Sequence, residues 1–75
     1  MTMPRKRYDV TPDGDDWIIQ TGGRTVRRFE TKQPAVDDAV GRGRRQGNSQ
    51  VVIHRKNGTI QEERTYGEDP YPPEG

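Results

Sequence analysis

Two runs of β-forming residues flank an Asn-Gly pair in this chain: Val51-Val52-Ile53-His54-Arg55-Lys56, then Asn57-Gly58, then Thr59-Ile60-Gln61-Glu62. Asn-Gly between such runs is the strongest short-range signal for a hairpin, because both residues tolerate the positive φ of a type I′ turn. A two-residue loop sets the register: Arg55 opposite Ile60, Ile53 opposite Glu62, Val51 opposite Arg64. Val51, Ile53 and Ile60 then share one face, and Val52 and His54 point the other way.

The first half carries three further strands. Tyr8-Asp9-Val10-Thr11 alternates apolar and polar and runs into the turn residues Pro12-Asp13-Gly14-Asp15. Trp17-Ile18-Ile19-Gln20-Thr21 is rich in β-formers and stops at Gly22-Gly23, a pair able to take the positive φ of a tight reversal. Arg24-Thr25-Val26-Arg27-Arg28-Phe29 is β-like but heavily charged, so one of its faces meets water.

Between strands three and four the period changes. Ala35, Val36, Ala39, Val40 and Gly43 fall at helical spacing and give a stripe of small side chains able to lie close on a sheet. Pro34 favours the first helical position, so the helix is expected to begin there, with Thr31 as an earlier cap. Asp37 and Asp38 near the start and Arg42, Arg44 and Arg45 near the end suit the helix dipole, and Asp38 and Arg42 can pair at i,i+4. Gly41 and Gly43 each cost about 1 kcal/mol relative to alanine, so the helix depends on docking. Gly47 is the expected stop.

Few side chains are available for a core: 25% of the 75 residues are hydrophobic and 33% are charged. Burial contributes roughly 1.5–3 kcal/mol per large side chain against an ordering cost of roughly 1–2 kcal/mol per residue, which leaves a narrow margin for one small domain. The expected architecture is α+β, a small antiparallel-rich sheet in the chain order βββαββ with one helix packed on one face. The expected organisation is a flexible basic arm over residues 1–7, a single domain over 8–66, and a tail rich in proline, glycine and acid over 67–75. Absence of cysteine removes disulfides and thiolate metal sites and suits a reducing compartment, and no apolar run approaches a membrane span. A soluble, cytoplasmic protein without a membrane partner is expected.

Charges come in blocks around a net charge of +1. Arg5-Lys6-Arg7 is basic, Asp13, Asp15 and Asp16 make an acidic turn, Arg24, Arg27 and Arg28 lie on strand three, and Arg42, Arg44 and Arg45 at the helix end. Glu68, Asp69 and Glu74 make an acidic tail. Segregation of sign on a small domain can guide an anionic partner to one face, and can equally favour self-association.

The inventory for catalysis is poor. Ser49 and His54 are the right types for nucleophile and base, yet five residues apart on one strand they project to opposite faces. The three aspartates of the acidic turn lack the spacing and downstream glutamate of a calcium loop, and neither Gly22-Gly23 nor Gly41-Arg42-Gly43 has a phosphate loop's context. No catalytic residue, metal site or cofactor is expected, and the chain reads as a non-enzyme.

Two function classes stay open, the first favoured and the second its alternative. One is a non-catalytic interaction or assembly module for an unknown protein partner or a second copy of itself, using Ile18, Val52, His54, Tyr66 and Tyr71. The other is nucleic-acid binding, in which Arg24, Arg27, Arg28, Arg42, Arg44 and Arg45 contact phosphates and Arg5-Lys6-Arg7 serves as an arm. Against the second stand the modest net charge, a pI of about 8.1 and few aromatic residues for base stacking.

The order Tyr8-x-Val10-x-Pro12, a Gly-Asp turn and Trp17, a Thr31-Lys32 helix entrance, then Val51-Val52-Ile53-His54-x-x-Asn57-Gly58-x-Ile60-Gln61-Glu62 and Tyr66-Gly67-x-Asp69-Pro70-x-Pro72-Pro73 resembles the small prokaryotic family designated domain of unknown function 2188. The resemblance spans nearly the whole chain, and the part from Val51 to Pro73 is the more specific. Pro34 stands where an acidic helix-start residue is more typical, and Gly41 and Gly43 replace better helix formers. The resemblance implies a compact β-rich α+β domain of bacteria, archaea or their phages, and it implies no activity.

Overall fold

The computed structural model describes residues 6–67. Five strands and one helix follow the expected order: β1 (Lys6–Asp13), β2 (Asp16–Thr21), β3 (Arg24–Phe29), α1 (Lys32–Gln46), β4 (Ser49–His54) and β5 (Ile60–Tyr66). The strands form one sheet in the spatial order β3-β2-β1-β4-β5, antiparallel except for the central β1–β4 pair. The fold is α+β, with the helix packed on one face of a mostly antiparallel sheet.

Glycine shapes the tight reversals. Gly22 and Gly23 both hold positive φ, 58° and 80°, which lets a two-residue loop join Thr21 to Arg24. β1 begins at Lys6, inside the stretch assigned from sequence to an arm, because Lys6 and Arg7 pair with Ser49 and Gln50 of β4. It also runs on through Pro12 and Asp13; Pro12 lies beyond the last β1–β4 pair, Val10 with Ile53, where a missing backbone donor costs no rung to β4.

Two expectations are corrected. The helix starts at Lys32 behind Thr31, which has an extended backbone and no side-chain cap. Pro34 therefore sits third in the helix, still within the first turn, whose N–H groups have no intrahelical acceptor to lose. Asp37 and Asp38 consequently fall beyond the first turn, which contains no acid.

The β4–β5 hairpin differs as well. Its loop has three residues, Lys56-Asn57-Gly58, closed by Gly58 N–H to Arg55 C=O at 2.8 Å and Arg55 N–H to Thr59 C=O at 2.7 Å. The Asn57 side chain accepts from the Thr59 N–H and hydroxyl, which fixes the loop, and Gly58 supplies φ of 93°. Ile53 pairs with Glu62 and Val51 with Arg64 as expected, but Ile60 pairs with His54 rather than Arg55. Gln61 is an extra residue in β5, and beyond it Ile60 turns to the face away from the helix, where it is 46% exposed.

The core lies between the sheet and the helix: Tyr8, Val10, Trp17, Ile19, Val51 and Ile53 from the strands and Ala35 and Ala39 from α1, flanked by Phe29, Val36 and Tyr66. The small face of α1 lets it approach closely. A Cβ on Gly43 would stand 2.8 Å from Val51 Cγ2, 3.1 Å from Tyr66 Cδ2 and 3.2 Å from Ser49 Oγ. The fully buried Ser49 hydroxyl donates to the Gly43 carbonyl at 2.7 Å, and the Gly47 N–H donates to the same oxygen at 3.1 Å, so the last turn is tied to β4.

The two helical glycines should therefore respond oppositely to alanine. Gly43→Ala gains helix propensity but overpacks the core, and a net loss of about 1–2 kcal/mol is expected. At Gly41 a new Cβ meets only the flexible Arg45 side chain at 3.7 Å, so Gly41→Ala is expected to stabilise by up to about 1 kcal/mol. Thermal melts should show the two melting temperatures moving in opposite directions.

Candidate functional site

The sheet presents two different faces, and the sequence-derived residues divide between them. On the face away from the helix stand Asp9, Ile18, Arg28, Gln50, Val52, His54 and Glu63, as strand alternation and register require. Ile18 and Val52 do point away from α1, but they are only 5% and 1% exposed. They make no open apolar patch. Long polar neighbours surround them: in register, Val52 lies between Asp9 and Glu63, and Ile18 lies between Thr11 and Arg28.

These neighbours hold one another. Arg7 makes a two-pronged contact with Asp9, at 2.8 and 2.9 Å, and His54 Nε2 lies 2.9 Å from Asp9 Oδ2. His54 Nδ1 lies 3.1 Å from the Gly58 carbonyl, so each ring nitrogen is within hydrogen-bond distance of an oxygen of the fold. Ser49 is on the opposite face, sealed against α1. Arg28 bridges Asp13 at 2.6 Å and Asp16 at 3.1 Å, and Gln50 donates to Glu63. Among the described residues, no group of three or more His, Cys, Asp or Glu is placed to hold a metal. No helix among them is long and apolar enough to cross a membrane.

Arginines gather on the other face, beside the helix. Arg24 pairs with Thr21 and Arg27 with Ile19, which puts both on the helix side of edge strand β3. Asp38, Gly41, Arg42 and Arg45 share one flank of α1 by their i, i+3, i+4, i+7 spacing, and the Arg27–Asp38 contact shows that this flank faces β3. Register and helix spacing thus set Arg24, Arg27, Arg42 and Arg45 along the line where β3 and α1 meet, here called the β3–α1 groove. Asp38, 20% exposed, is bonded to Arg27 Nη1 at 3.4 Å and to Arg42 Nε at 2.5 Å. Arg24, Arg44 and Arg45 are exposed and make no ion pair among the described residues. Arg44 and Arg45 lie in the last turn of α1 and also offset the negative end of its dipole.

Of the six arginines singled out from sequence, then, four line this groove, Arg44 adjoins it, and Arg28 lies on the far face held by two aspartates. Tyr66 packs against the core below Gly43; Tyr71, Arg5 and the acidic tail lie outside the described residues. Sequence reading did not single out Asp38 as a member of the site, since only its i,i+4 link to Arg42 is visible in the chain.

A second groove runs along the opposite flank of α1, toward β5. It has a volume of about 390 Å³ and is lined by Lys32, Gln33, Val36, Ile53, Gln61, Glu62 and Arg64. Lys32 lies over the Trp17 ring and bonds Gln61, and Arg64 bonds Glu62 at 2.7 Å, so its rim is of mixed sign and internally satisfied.

A family model of uncharacterised proteins conserved in bacteria, DUF2188, matches residues 8–66. The chain belongs to this family. No curated protein and no solved structure matches it. The DUF2188 segment contains every strand and the whole helix apart from the first two residues of β1, and thus both grooves.

The Asp9 cluster makes a pH-dependent contribution to stability. Burial pushes the Asp9 carboxyl up, but hydrogen bonds from Arg7 and His54 outweigh it and hold the group below its ordinary value. A depressed folded value gives stability that is fully present above the ordinary carboxylate range near about pH 4 and is lost as pH falls through the folded value. Denaturant titrations should find Asp9→Asn less stable than the parent by on the order of 1 kcal/mol at neutral pH, with the gap closing as pH falls below about 4. A gap that stays constant over that range would show that the carboxylate charge is not what holds the cluster.

Proposed function

We propose that this DUF2188 domain is a non-catalytic binding module, acting in the cytoplasm, whose β3–α1 groove holds the phosphate backbone of a nucleic acid. The observation that supports this most is the convergence of Arg24, Arg27, Arg42 and Arg45 from two separate elements on one groove with one carboxylate between them. Guanidinium groups match phosphate oxygens geometrically and remain charged at every relevant pH. Contacts to backbone alone are tolerant of sequence, and the covering of the aromatic rings agrees with such a mode. Trp17 and Tyr8 are buried, and cations lie over Tyr8, Phe29 and Trp17 at 5.9, 5.2 and 5.0 Å, so these three rings offer little face for stacking bases.

The non-catalytic part of the reading draws on Ser49 and His54, whose polar atoms are fully committed within the fold. Self-association through Ile18 and Val52 loses its surface, because both are buried beneath charged neighbours.

Fluorescence anisotropy with labelled duplex and single strands at about 50 mM salt, followed by a salt series, tests the proposal. Binding should weaken as salt rises, and Arg24→Ala with Arg45→Ala should lower affinity at least about tenfold while flattening the logarithmic salt slope by about 1.8, near 0.9 for each phosphate contact removed. Arg28→Ala, on the opposite face, should leave affinity within about twofold. No binding to either strand form at low salt, or equal losses from Arg28→Ala and the groove variants, would remove the reading.

A further inference from the structure

We infer that Asp38 is a positioning residue of the arginine groove: it holds Arg27 and Arg42 in place for an incoming phosphate, despite carrying the same charge sign as that phosphate. This inference rests on the backbone-binding reading above.

The geometry is specific. Asp38 spends its two carboxylate oxygens on two different arginines, Oδ2 on Arg27 and Oδ1 on Arg42, and those arginines come from different elements. Each guanidinium is held through one nitrogen, Nη1 of Arg27 and Nε of Arg42, and makes no other hydrogen bond among the described residues. A guanidinium has five N–H donors, so each keeps an unused edge for a second oxyanion. Arg27 is restrained on a further side, since its guanidinium lies over the Phe29 ring at 5.2 Å. Both ends of the clasp are therefore fixed to rigid structure: Arg27 to a strand and an aromatic ring, Asp38 to the middle of a helix packed on the core.

Two effects of Asp38 oppose each other. Its charge repels a polyanion and partly neutralises two cations, which weakens binding. Its bonds restrict two long, rotamer-rich side chains before the ligand arrives, so less side-chain freedom is lost on binding, and both guanidiniums are held next to one carboxylate. We place the second effect first because Asp38 is four-fifths buried and both of its oxygens are committed, so little of its charge is turned to an arriving strand.

The sign of one substitution decides the matter. By charge alone, Asp38→Ala raises the net charge by one unit beside the groove and should tighten binding. If Asp38 positions the arginines, Asp38→Ala should weaken binding to a labelled duplex by about 3–10-fold at low salt, and Asp38→Asn, which keeps one acceptor oxygen, should weaken it less. The companion measurement is the NMR order of the Arg42 and Arg27 Nε–H groups in the unliganded protein, restrained in the parent and mobile in Asp38→Ala. A merely structural role would lower the melting temperature without changing either the arginine order or the affinity of the folded fraction.

Weaker binding with more mobile arginines supports the inference. Equal or tighter binding by Asp38→Ala, with the parent binding normally, overturns it and leaves the backbone-binding reading intact. Should Asp38→Ala fail to fold, Asp38→Asn carries the same decision, and tighter binding by that variant overturns the inference. Failure of the parent itself to bind removes the reading, and the inference with it.

Discussion

The close contact of one helical turn with the sheet sets the rest of the structure. At Gly43 the backbone of α1 comes so close to Val51, Tyr66 and Ser49 that an added Cβ would stand 2.8–3.2 Å from them. The Ser49 hydroxyl then meets the Gly43 carbonyl, which otherwise would be a buried helix-end acceptor with one partner. Ala35 and Ala39 continue the small face, so the helix lies low over β1 and β4, the central strands. With so small a contact face, α1 reaches β2 and β3 but leaves the β5 side open, where the groove of about 390 Å³ lies.

Edge strands so left uncovered are normally protected by charge and irregular pairing. Both edges here use both devices. β3 carries Val26 as an extra residue between Thr25 and Arg27, and β5 carries Gln61 between Ile60 and Glu62. The charges on β3 are all arginine, while those on β5 are of both signs, Glu62, Glu63 and Arg64. The two grooves thereby differ in character: that beside β5 closes on itself through Glu62–Arg64 and Lys32–Gln61, and that beside β3 keeps a surplus of cations.

Local signals were legible in the chain and long-range ones were not. Gly22-Gly23 and the alternation around Trp17 and Ile19 place two hairpin strands, and the stripe Ala35, Ala39, Gly43 gives the buried helix face, because each depends on residues a few positions apart. The Asn57-Gly58 signal finds the hairpin but not its loop length; the side-chain bonds of Asn57 to Thr59 favour three residues over two, and this reverses the face of Ile60. Of the two helix starts the chain offers, the one behind Thr31 is taken rather than the one at Pro34, because proline is tolerated anywhere in the first turn. The parallel β1–β4 pair brings Asp9 to His54 across 45 positions, and the docking of α1 beside β3 brings Asp38 to Arg27 across 11. Neither pairing follows from spacing until the sheet order is known. Ile18 and Val52 were legible as to face but not as to burial, since the His54–Asp9 and Arg28–Asp13–Asp16 contacts beside them are themselves long-range.

Net charge proves a poor guide to this domain for a related reason. The +1 sum combines arginines of different surroundings: Arg7, Arg28 and Arg64 each have a carboxylate partner, whereas Arg24, Arg44 and Arg45 have none among the described residues. The topology then gathers unpaired cations in one place. The start of β1, the β2–β3 turn, the end of α1 and the start of β4 all lie at one end of the sheet, which collects Lys6, Arg24, Arg44 and Arg45. The opposite end is of mixed sign, with Asp13, Asp15 and Asp16 at the β1–β2 turn and Arg28, Arg55 and Lys56 near them. A polyanion meeting this molecule is attracted more strongly to the first end, so a small net charge is compatible with a preferred orientation. Arrangement of charge, set by a helix that sits low and narrow on its sheet, thus carries information that the sum of charges discards.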